Sequence, residues 1–260
     1  MIEMIALDNV ATAQITGARD YQEDMLAVHA PATGAHAGER LLVLADGMGG
    51  HVGGEVASRL VVEYFCEAYI NSTGRNNPGN TPDALRSSLN VANEQLANAV
   101  EEAPELRGMG TTLIGCVIRE NHLHWISVGD SPLWVSRDGR LQRLNADHSM
   151  VPLLDDMVRA GVMDVAEALL DVRRNMLRSA VAGKVIELVD AGKEPWLLQA
   201  GDIVLLASDG IETLADDELA SLLNNPHEES LQALADKLMT RIEAVADSGQ
   251  DNASVILYRH

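Results

Sequence analysis

The chain has 260 residues, of which 47% are hydrophobic and 3% are aromatic, and its formal net charge at pH 7 is −20. This length and apolar content suffice for one large core, so we expect a single domain over residues 1–260. The negative charge argues against nucleic acid or an anionic membrane as a partner, and the scarcity of aromatic rings argues against a base-stacking surface.

Apolar patterns predict many short strands and four helices. Strands are predicted over residues 10–16, 25–29, 41–45, 113–118, 122–128, 132–136, 140–144, 184–189, 203–207 and 253–258. Helices are predicted over 56–68, 81–100, 214–223 and 230–245, while residues 150–184 are irregularly helical. Thr81 is expected to cap the second helix. Hairpins, such as the one turning at Asp138-Gly139, and helices that arrive in pairs indicate an α+β fold with antiparallel sheets.

Two features of the sequence bear on its cellular location. No apolar run approaches the length of a membrane span, and the first nine residues lack the basic and apolar regions of a signal peptide. Cys66 and Cys116 lie far apart in apolar contexts, which favours two buried thiols over a disulfide. We therefore expect a cytoplasmic protein.

Acidic residues recur beside the apolar strands. Six carboxylates share this position, each next to a predicted strand: Asp46, Asp209, Asp130, Asp251, Glu23 and Asp24. Any one of them alone is more often a turn former than a metal ligand. The same context repeated six times favours the second interpretation, in which the side chains converge at one edge of the sheets.

Converging carboxylates would repel one another and lose solvation unless cations joined them. Oxygen ligands without histidine or cysteine at metal spacing select Mg²⁺ or Mn²⁺ rather than Zn²⁺. Two such ions about 3.5–4 Å apart can share a carboxylate and activate a bridging water, which hydrolyses phosphate esters without a protein nucleophile. Arg19 can hold two phosphate oxygens, although a structural ion pair is the commoner role of a lone arginine.

Seven short motifs follow one another along the chain. They are GARDYQED over 17–24, VLADGMGGH over 43–51, GMGTT over 108–112, VGDS over 128–131, DHS over 147–149, ASDGI over 207–211 and DNAS over 251–254. Each is weak alone, but in this order and over nearly the whole chain they are specific together. The chain resembles the metal-dependent serine/threonine protein phosphatases, the PPM or type 2C family, in its compact bacterial form.

The resemblance implies an αββα sandwich, in which helices cover two face-to-face antiparallel sheets and metals bind in a cleft at one end. It implies that Asp46 bridges two Mn²⁺ or Mg²⁺ ions and that the Gly47 carbonyl binds one of them. By the same resemblance, Asp209 and Asp251 bind the other ion. Arg19 resembles the arginine that binds the substrate phosphate.

Three further acids have secondary roles in the same resemblance. Glu23 is expected to reach a metal through water, and Asp24 is expected to support the site. Asp130 resembles the acid of a third, weaker metal site that is common in bacterial members. Residues 148–184 are expected to form the family's flap, although the sequence over 171–182 matches the family pattern only in part.

Several positions depart from the family pattern. Met48 stands where eukaryotic members often have a histidine that is proposed as general acid, and Pro132 replaces the arginine of the usual GDSR motif. His51 lies nearby, but we do not assign it the role of the acid. His148 is expected to hold the turn at Asp147 rather than to act as a base.

These features predict an Mg²⁺- or Mn²⁺-dependent protein phosphatase that hydrolyses phosphoserine and phosphothreonine by attack of a metal-bridging water. The alternative is a catalytically silent protein of the same fold that binds a phosphorylated partner, but such members usually lose metal acids that this chain keeps. A simple acidic binder of divalent ions leaves the ordered motifs and Arg19 unexplained. We expect phosphorylated proteins as partners, a separate cognate kinase, and a monomer.

Overall fold

Two antiparallel β-sheets stack face to face at the centre of the molecule. The computed structural model describes residues 8–49, 53–224 and 230–260, so His51 lies outside the described residues. The strands of the first sheet are, in spatial order, β1 (Val10–Ile15), β12 (Ala253–Arg259), β11 (Ile203–Ala207), β7 (Leu133–Arg137) and β8 (Arg140–Arg143). Neighbouring strands in this five-stranded sheet are all antiparallel.

The second sheet has seven strands and carries the central strand of the molecule. Its spatial order is β10 (Trp196–Leu197), β6 (His122–Val128), β5 (Leu113–Arg119), β3 (Arg40–Met48) and β2 (Asp24–His29), with β4 (Gly110–Thr111) on β3 and β9 (Asp190–Ala191) on β6. Successive side chains of β3 point to opposite faces. Leu42 and Leu44 therefore join the core between the two sheets, while Leu41 and Val43 pack under the helices. This burial on both faces explains why the strand is apolar without interruption.

Helices cover the outer face of each sheet. Helices α1 (Gly53–Asn71) and α2 (Thr81–Glu102) pack on the seven-stranded sheet, and α5 (Asp216–Leu223) and α6 (Leu231–Val245) pack on the five-stranded sheet. Two short helices, α3 (Val151–Arg159) and α4 (Val165–Leu170), lie between β8 and β9. The predicted αββα sandwich of the α+β class is confirmed.

The segment over residues 148–184 is tied to the sandwich at its base. Ser149 forms an isolated bridge with Leu177, which closes the base of the segment, and Val181 forms another with Thr111 of β4, which ties the segment to the sandwich. Between these anchors the segment exposes large apolar side chains, including Leu170 and Val172. Its role as a flap stays a prediction, as does the single domain over residues 1–260.

The strand predicted over residues 184–189 is wrong, because side chains rather than a neighbouring strand bond its backbone. The Asn93 side chain accepts from the Gly183 N–H (2.9 Å) and donates to the Lys184 carbonyl (2.7 Å). Likewise, the Ser179 hydroxyl bonds both the N–H and the carbonyl of Leu188. Sheet pairing begins only at β9, two residues long.

Two local predictions are corrected and two are confirmed. Thr81 is the first residue of α2 rather than its cap, and its hydroxyl is buried without a hydrogen-bond partner. Strand β3 runs on to Met48, beyond the predicted end at residue 45.

The turn at Asp138-Gly139 has positive φ at both residues (51° and 74°), as the hairpin predicts. Both cysteines are free and buried. Within the described ranges, no helix is long and apolar enough to cross a membrane.

Candidate metal centre

A cavity of about 400 Å³ opens at one end of the sandwich, where strands of both sheets finish. Strands β11 and β12 are antiparallel neighbours, so Asp209, two residues after β11, and Asp251, two residues before β12, lie at the same sheet edge. Asp46, near the end of β3 in the other sheet, lines the same cavity as Asp209. Seven of the eight residues predicted for the site line the cavity: Arg19, Glu23, Asp46, Gly47, Asp130, Asp209 and Asp251.

Asp46 lies inside a strand, and its backbone is held from one side by the GMGTT motif. Its N–H donates to the Thr112 hydroxyl (2.9 Å), and its carbonyl accepts from the Thr112 N–H (2.8 Å). The Thr111 hydroxyl donates to the same carbonyl (2.8 Å). Since the direction of a side chain follows the backbone of its strand, these bonds aim the carboxylate into the cavity.

Gly47 occupies a position where no side chain fits. A Cβ at this residue would lie 2.2 Å from the Gly54 carbonyl oxygen and 2.5 Å from that of Glu23. The Glu23 carbonyl accepts from the Gly47 N–H (3.1 Å), and the Glu23 N–H donates to the Asn252 side chain (2.7 Å). The DNAS motif thereby fixes the loop that brings the Glu23 carboxylate to the cavity.

Asp24 does not line the cavity but stands directly behind it. It pairs with Asp46 across β2 and β3, and its side chain is buried. One carboxylate oxygen, Oδ2, accepts from the hydroxyls of Ser208 (2.7 Å) and Ser254 (2.6 Å). The other, Oδ1, is buried without a partner. Burial raises the pKa of Asp24 to about 6, against the two hydroxyl bonds that lower it.

The Asp130 loop is held by an arginine from a distant position in the chain. Arg143 of β8 donates to the Asp130 carbonyl (2.5 Å) and approaches Glu212 (3.7 Å). An arginine therefore contacts this loop even though Pro132 stands where the family motif has one. Burial, and then the nearby Asp209, raise the pKa of Asp130 to about 7.

His148 holds this same loop. Its ring Nδ1 accepts from the Gly129 N–H (3.2 Å), and its backbone N–H donates to the Gly129 carbonyl (3.2 Å). The buried ring does not line the cavity, and burial lowers its pKa. These contacts give His148 a structural role, but its side chain holds Gly129 rather than the turn at Asp147, which is closed by the Ser149 N–H on the Asp147 carboxylate (2.7 Å).

Arg19 is the only cationic side chain among the described residues that line the cavity. Its Nη2 donates to Asp251 Oδ2 at 2.6 Å, and the two side chains are 53% and 41% exposed. An ion pair this exposed contributes little stability, about 0–1 kcal/mol. The guanidinium can therefore exchange this partner for an anion in the cavity.

The cavity holds more negative charge than Arg19 can balance. Burial raises the pKa of Asp46 well above its usual range, and the carboxylates of Asp24 and Asp209 raise it further. The pKa values of Asp209 and Glu23 are also raised, in both cases first by burial. Groups arranged in this way can all be ionised only when a cation joins them.

The donor set fits hard divalent cations. Every candidate ligand is an oxygen, as Mg²⁺ and Mn²⁺ prefer, and the orphaned Oδ1 of Asp24 marks unused acceptor capacity behind Asp46. Among the described residues, no three acidic, histidine or cysteine side chains form a complete cage for one ion. Mg²⁺-type sites need no such cage, because these ions keep several waters and take one or two carboxylates from the protein.

Comparison with known proteins identifies the family. The family description "Protein phosphatase 2C" matches residues 17–250. The chain belongs to the protein phosphatase 2C family. It is 34% identical over 224 residues to the serine/threonine protein phosphatase PstP of Mycobacterium tuberculosis, covering 85% of this chain but only 40% of PstP. It is 31% identical over 220 residues to the serine/threonine phosphatase stp of Listeria welshimeri, covering 84% and 83% of the two chains.

A solved structure from the 2C family has the same fold. The catalytic domain of PstP, crystallised with two manganese ions, superposes with a TM-score of 0.74 at 30% identity, covering 96% of each chain. This agreement over nearly the whole length supports the αββα architecture independently of the strand patterns in the sequence.

Several residues of this site were not predicted from the sequence. They are the residues that hold the acids rather than the acids themselves: Thr111, Thr112, Ser131, Arg143, Ser208, Asn252 and Ser254. All but Arg143 lie inside the seven motifs, so the motif letters around each acid carried the available signal. Arg143 lies in no motif, and only the fold brings it to the loop.

Proposed function

We propose that this chain is an Mn²⁺- or Mg²⁺-dependent phosphatase that hydrolyses phosphoserine and phosphothreonine in proteins. One observation carries the proposal: among the residues that the structure describes, the carboxylates of Asp46, Asp209 and Asp251 share a cavity with one arginine, Arg19. Such a set needs cations to be ionised, and an arginine beside it suits a phosphate ester. The membership of the 2C family and the names of its relatives support the same activity.

The ligand roles proposed here follow the donor chemistry of the cavity. Asp46 would bridge two ions, with the Gly47 carbonyl on one of them and Asp209 and Asp251 on the other. Glu23, which lies at the cavity wall, would act through a water molecule.

Two further acids have supporting roles in the proposal. Asp24, fixed by two serine hydroxyls, would keep its charge behind Asp46 and so strengthen cation binding there. Asp130 would hold a third, weaker ion.

When bound, the ions supply Lewis-acid activation of water and neutralise charge on the phosphate. Arg19 orients the phosphate, because its planar fork can bind two oxygens once it leaves Asp251. Holding the phosphorus in one orientation favours in-line attack. Met48 carries no exchangeable proton, and no histidine among the described residues lines the cavity. A histidine general acid is therefore not part of the proposed mechanism.

The finer parts of the proposal concern partners and setting. We propose that the substrates are separate phosphorylated proteins, including a cognate kinase or its targets, and that the chain acts as a monomer in the cytoplasm. Two free, buried thiols suit a reducing compartment. The segment over residues 148–184 would act as a flap, since Asn175 and Leu177 from it line the cavity.

Mn²⁺-dependent turnover tests the proposal. Wild-type protein should hydrolyse p-nitrophenyl phosphate and a phosphothreonine peptide only when Mn²⁺ or Mg²⁺ is added. Asp46→Ala and Asp209→Ala should abolish both activities, whereas Asp236→Ala, on the exposed face of α6, should not. Full activity in the first two variants would contradict the proposal. Binding of the phosphopeptide by wild-type protein without turnover would instead favour the catalytically silent alternative.

A further inference from the structure

Thr112 lies at a break in the strand pairing beside Asp46. Strand β3 pairs with β5 as far as Leu44 opposite Ile114, and with β4 from Gly47 opposite Thr111. Both pairings share one register, which sets Thr112 opposite Asp46 although neither pairing includes it. The Thr112 side chain is buried, at 2% exposure, and still reaches the cavity wall.

At this break a side chain replaces one bond of the strand ladder. Two opposed residues of an antiparallel pair can exchange two backbone N–H···O bonds. Here the Thr112 N–H donates to the Asp46 carbonyl, but the Asp46 N–H donates to the Thr112 hydroxyl instead of the Thr112 carbonyl. The Thr112 carbonyl instead lies 3.0 Å from the Thr111 hydroxyl, whose one proton it shares with the Asp46 carbonyl. The backbone of Asp46 is therefore positioned by a hydroxyl group.

The same hydroxyl also bonds the loop that carries Asp130. Thr112 Oγ1 and Ser131 Oγ are 2.7 Å apart, and both side chains are buried. Thr112 Oγ1 accepts from Asp46 and still has its proton and a second lone pair, so it can make this second bond as donor or as acceptor. The Thr112 methyl group packs on Gly129, where a Cβ would lie 2.6 Å from Thr112 Cγ2. Thr112 thus joins two segments that come from different strands.

We infer that Thr112 is a positioning residue for the metal centre. Its hydroxyl sets the separation between the carboxylates of Asp46 and Asp130, which enter the cavity from the two segments that it joins. The inference rests on the proposed function, since it assigns these carboxylates to cations. Partners in the outer shell of a metal site typically change metal affinity or activity by about 10 to 100-fold when they are lost.

Three single variants test this role in the full chain. Thr112→Val keeps the shape and removes the hydroxyl, Thr112→Ser keeps the hydroxyl, and Thr81→Val is the matched control. Thr81 is also a fully buried threonine, but its hydroxyl has no partner. Calorimetric titration with Mn²⁺ gives affinity and stoichiometry, p-nitrophenyl phosphate gives kcat at saturating Mn²⁺, and thermal unfolding in EDTA gives stability.

We expect Thr112→Val to bind Mn²⁺ about tenfold more weakly or worse and to lose kcat, because the two segments are no longer joined. Thr112→Ser should stay close to wild type, and Thr81→Val should match it. A purely structural role would lower the melting temperature of Thr112→Val while leaving Mn²⁺ affinity and kcat of the folded protein unchanged. That result would overturn the inference.

A double-mutant cycle identifies the Ser131 link. Ser131→Ala should weaken Mn²⁺ binding in the wild-type background but have little further effect in Thr112→Val, since both changes break the same bond. Additive effects would contradict a shared bridge. If wild-type protein binds Mn²⁺ without hydrolysing phosphate esters, the proposed function fails, whereas the Mn²⁺ titrations of these variants still decide the role of Thr112.

Discussion

Buried acids lie at both ends of strand β3, but they differ in how completely cationic side chains pair with them. At one end lies the Glu39 ion cluster, made of Glu39, Arg75, Arg119 and Tyr69. Glu39 is 3% exposed, and its carboxylate accepts from Arg75 (2.7 Å), Arg119 (2.5 Å) and the Tyr69 hydroxyl (3.4 Å). At the other end, Asp46 and its neighbouring acids share one half-exposed arginine.

The difference separates a structural site from a functional one. A buried acid that is fully paired and hydrogen-bonded links the segments around it, and its oxygens are not available to bind a ligand. A group of acids with too few cations, in an open cavity, is stable only with a ligand that supplies positive charge. Charge pairing along a single strand therefore distinguishes the two ends without reference to sequence motifs.

Removing the paired acid should have the largest effect on stability. Glu39→Gln leaves the buried Arg75 and the part-buried Arg119 without their carboxylate, so we expect the free energy of unfolding to fall by about 3–5 kcal/mol. The kcat of the folded protein should not change, because the cluster is remote from the cavity. Urea unfolding measures the loss, and Glu63→Gln, in an exposed pair with Arg59, is the control. Equally small losses of unfolding free energy in Glu39→Gln and Glu63→Gln would contradict a structural role for the Glu39 ion cluster.

Removing an unpaired acid should have the opposite effect, a loss of activity without a loss of stability. Asp209→Asn should lower kcat/KM in Mn²⁺ by more than about 100-fold, beyond the usual loss for an outer-shell residue. Its metal-free form should be no less stable than wild type, because a like charge has gone. Asp202 is the matched control, since it is 1% exposed and paired with Arg137. Asp202→Asn should lose stability and keep kcat, and the reverse assignment of effects would contradict the comparison.

Replacing Arg19, the one cationic side chain among the described residues that line the cavity, should have a smaller effect, confined to substrate binding. Arg19→Lys keeps the charge but loses the fork, so KM for a phosphothreonine peptide should rise roughly tenfold or more, because a charge-assisted hydrogen bond contributes about 1.5 kcal/mol or more. Steady-state kinetics measure it, with Arg59→Lys as control. An unchanged KM would contradict phosphate binding by Arg19 and leave it only the ion pair with Asp251.

The smallest expected effect is on the pH dependence of stability. Burial raises the pKa of Asp24 to about 6 and that of Asp130 to about 7 in the folded chain, above the ordinary aspartate value of about 3.9. The folded state therefore binds protons more tightly, and stability that is full below about pH 4 is lost as the pH rises towards 7.

In EDTA the melting temperature should accordingly fall as the pH rises from about 5 to about 7.5. With saturating Mn²⁺ the fall should disappear, because the metal replaces the protons. A melting temperature that rises over this window in EDTA would show that the acids are already compensated within the protein.

Much of the fold was predictable because the apolar residues of each strand follow a pattern that can be recognised within that strand alone. Uninterrupted apolar runs such as Leu41 to Ala45 indicate strands covered on both faces, and the positive-φ turn at Asp138-Gly139 is readable from two residues. The strand predicted over 184–189 failed because its backbone partners, Asn93 and Ser179, are side chains distant from any strand pattern.

The site shows the same limit. Acids at strand ends can be recognised one at a time, and antiparallel pairing explains why Asp209 and Asp251 meet. The groups that orient them depend on contacts between separate segments, such as Ser254 with Asp24 or Arg143 with the Asp130 carbonyl. A motif can mark a residue such as Ser254, but it does not show which acid that residue contacts, so only the folded chain reveals these pairs.

The most direct test of the proposed metal centre is a calorimetric Mn²⁺ titration of wild-type protein beside Asp46→Asn. If Asp46 is the shared ligand, wild-type protein should bind two ions at the acid-rich end, and Asp46→Asn should lose high-affinity binding of both while remaining folded. Mn²⁺ uptake by Asp46→Asn with wild-type stoichiometry and affinity would contradict it.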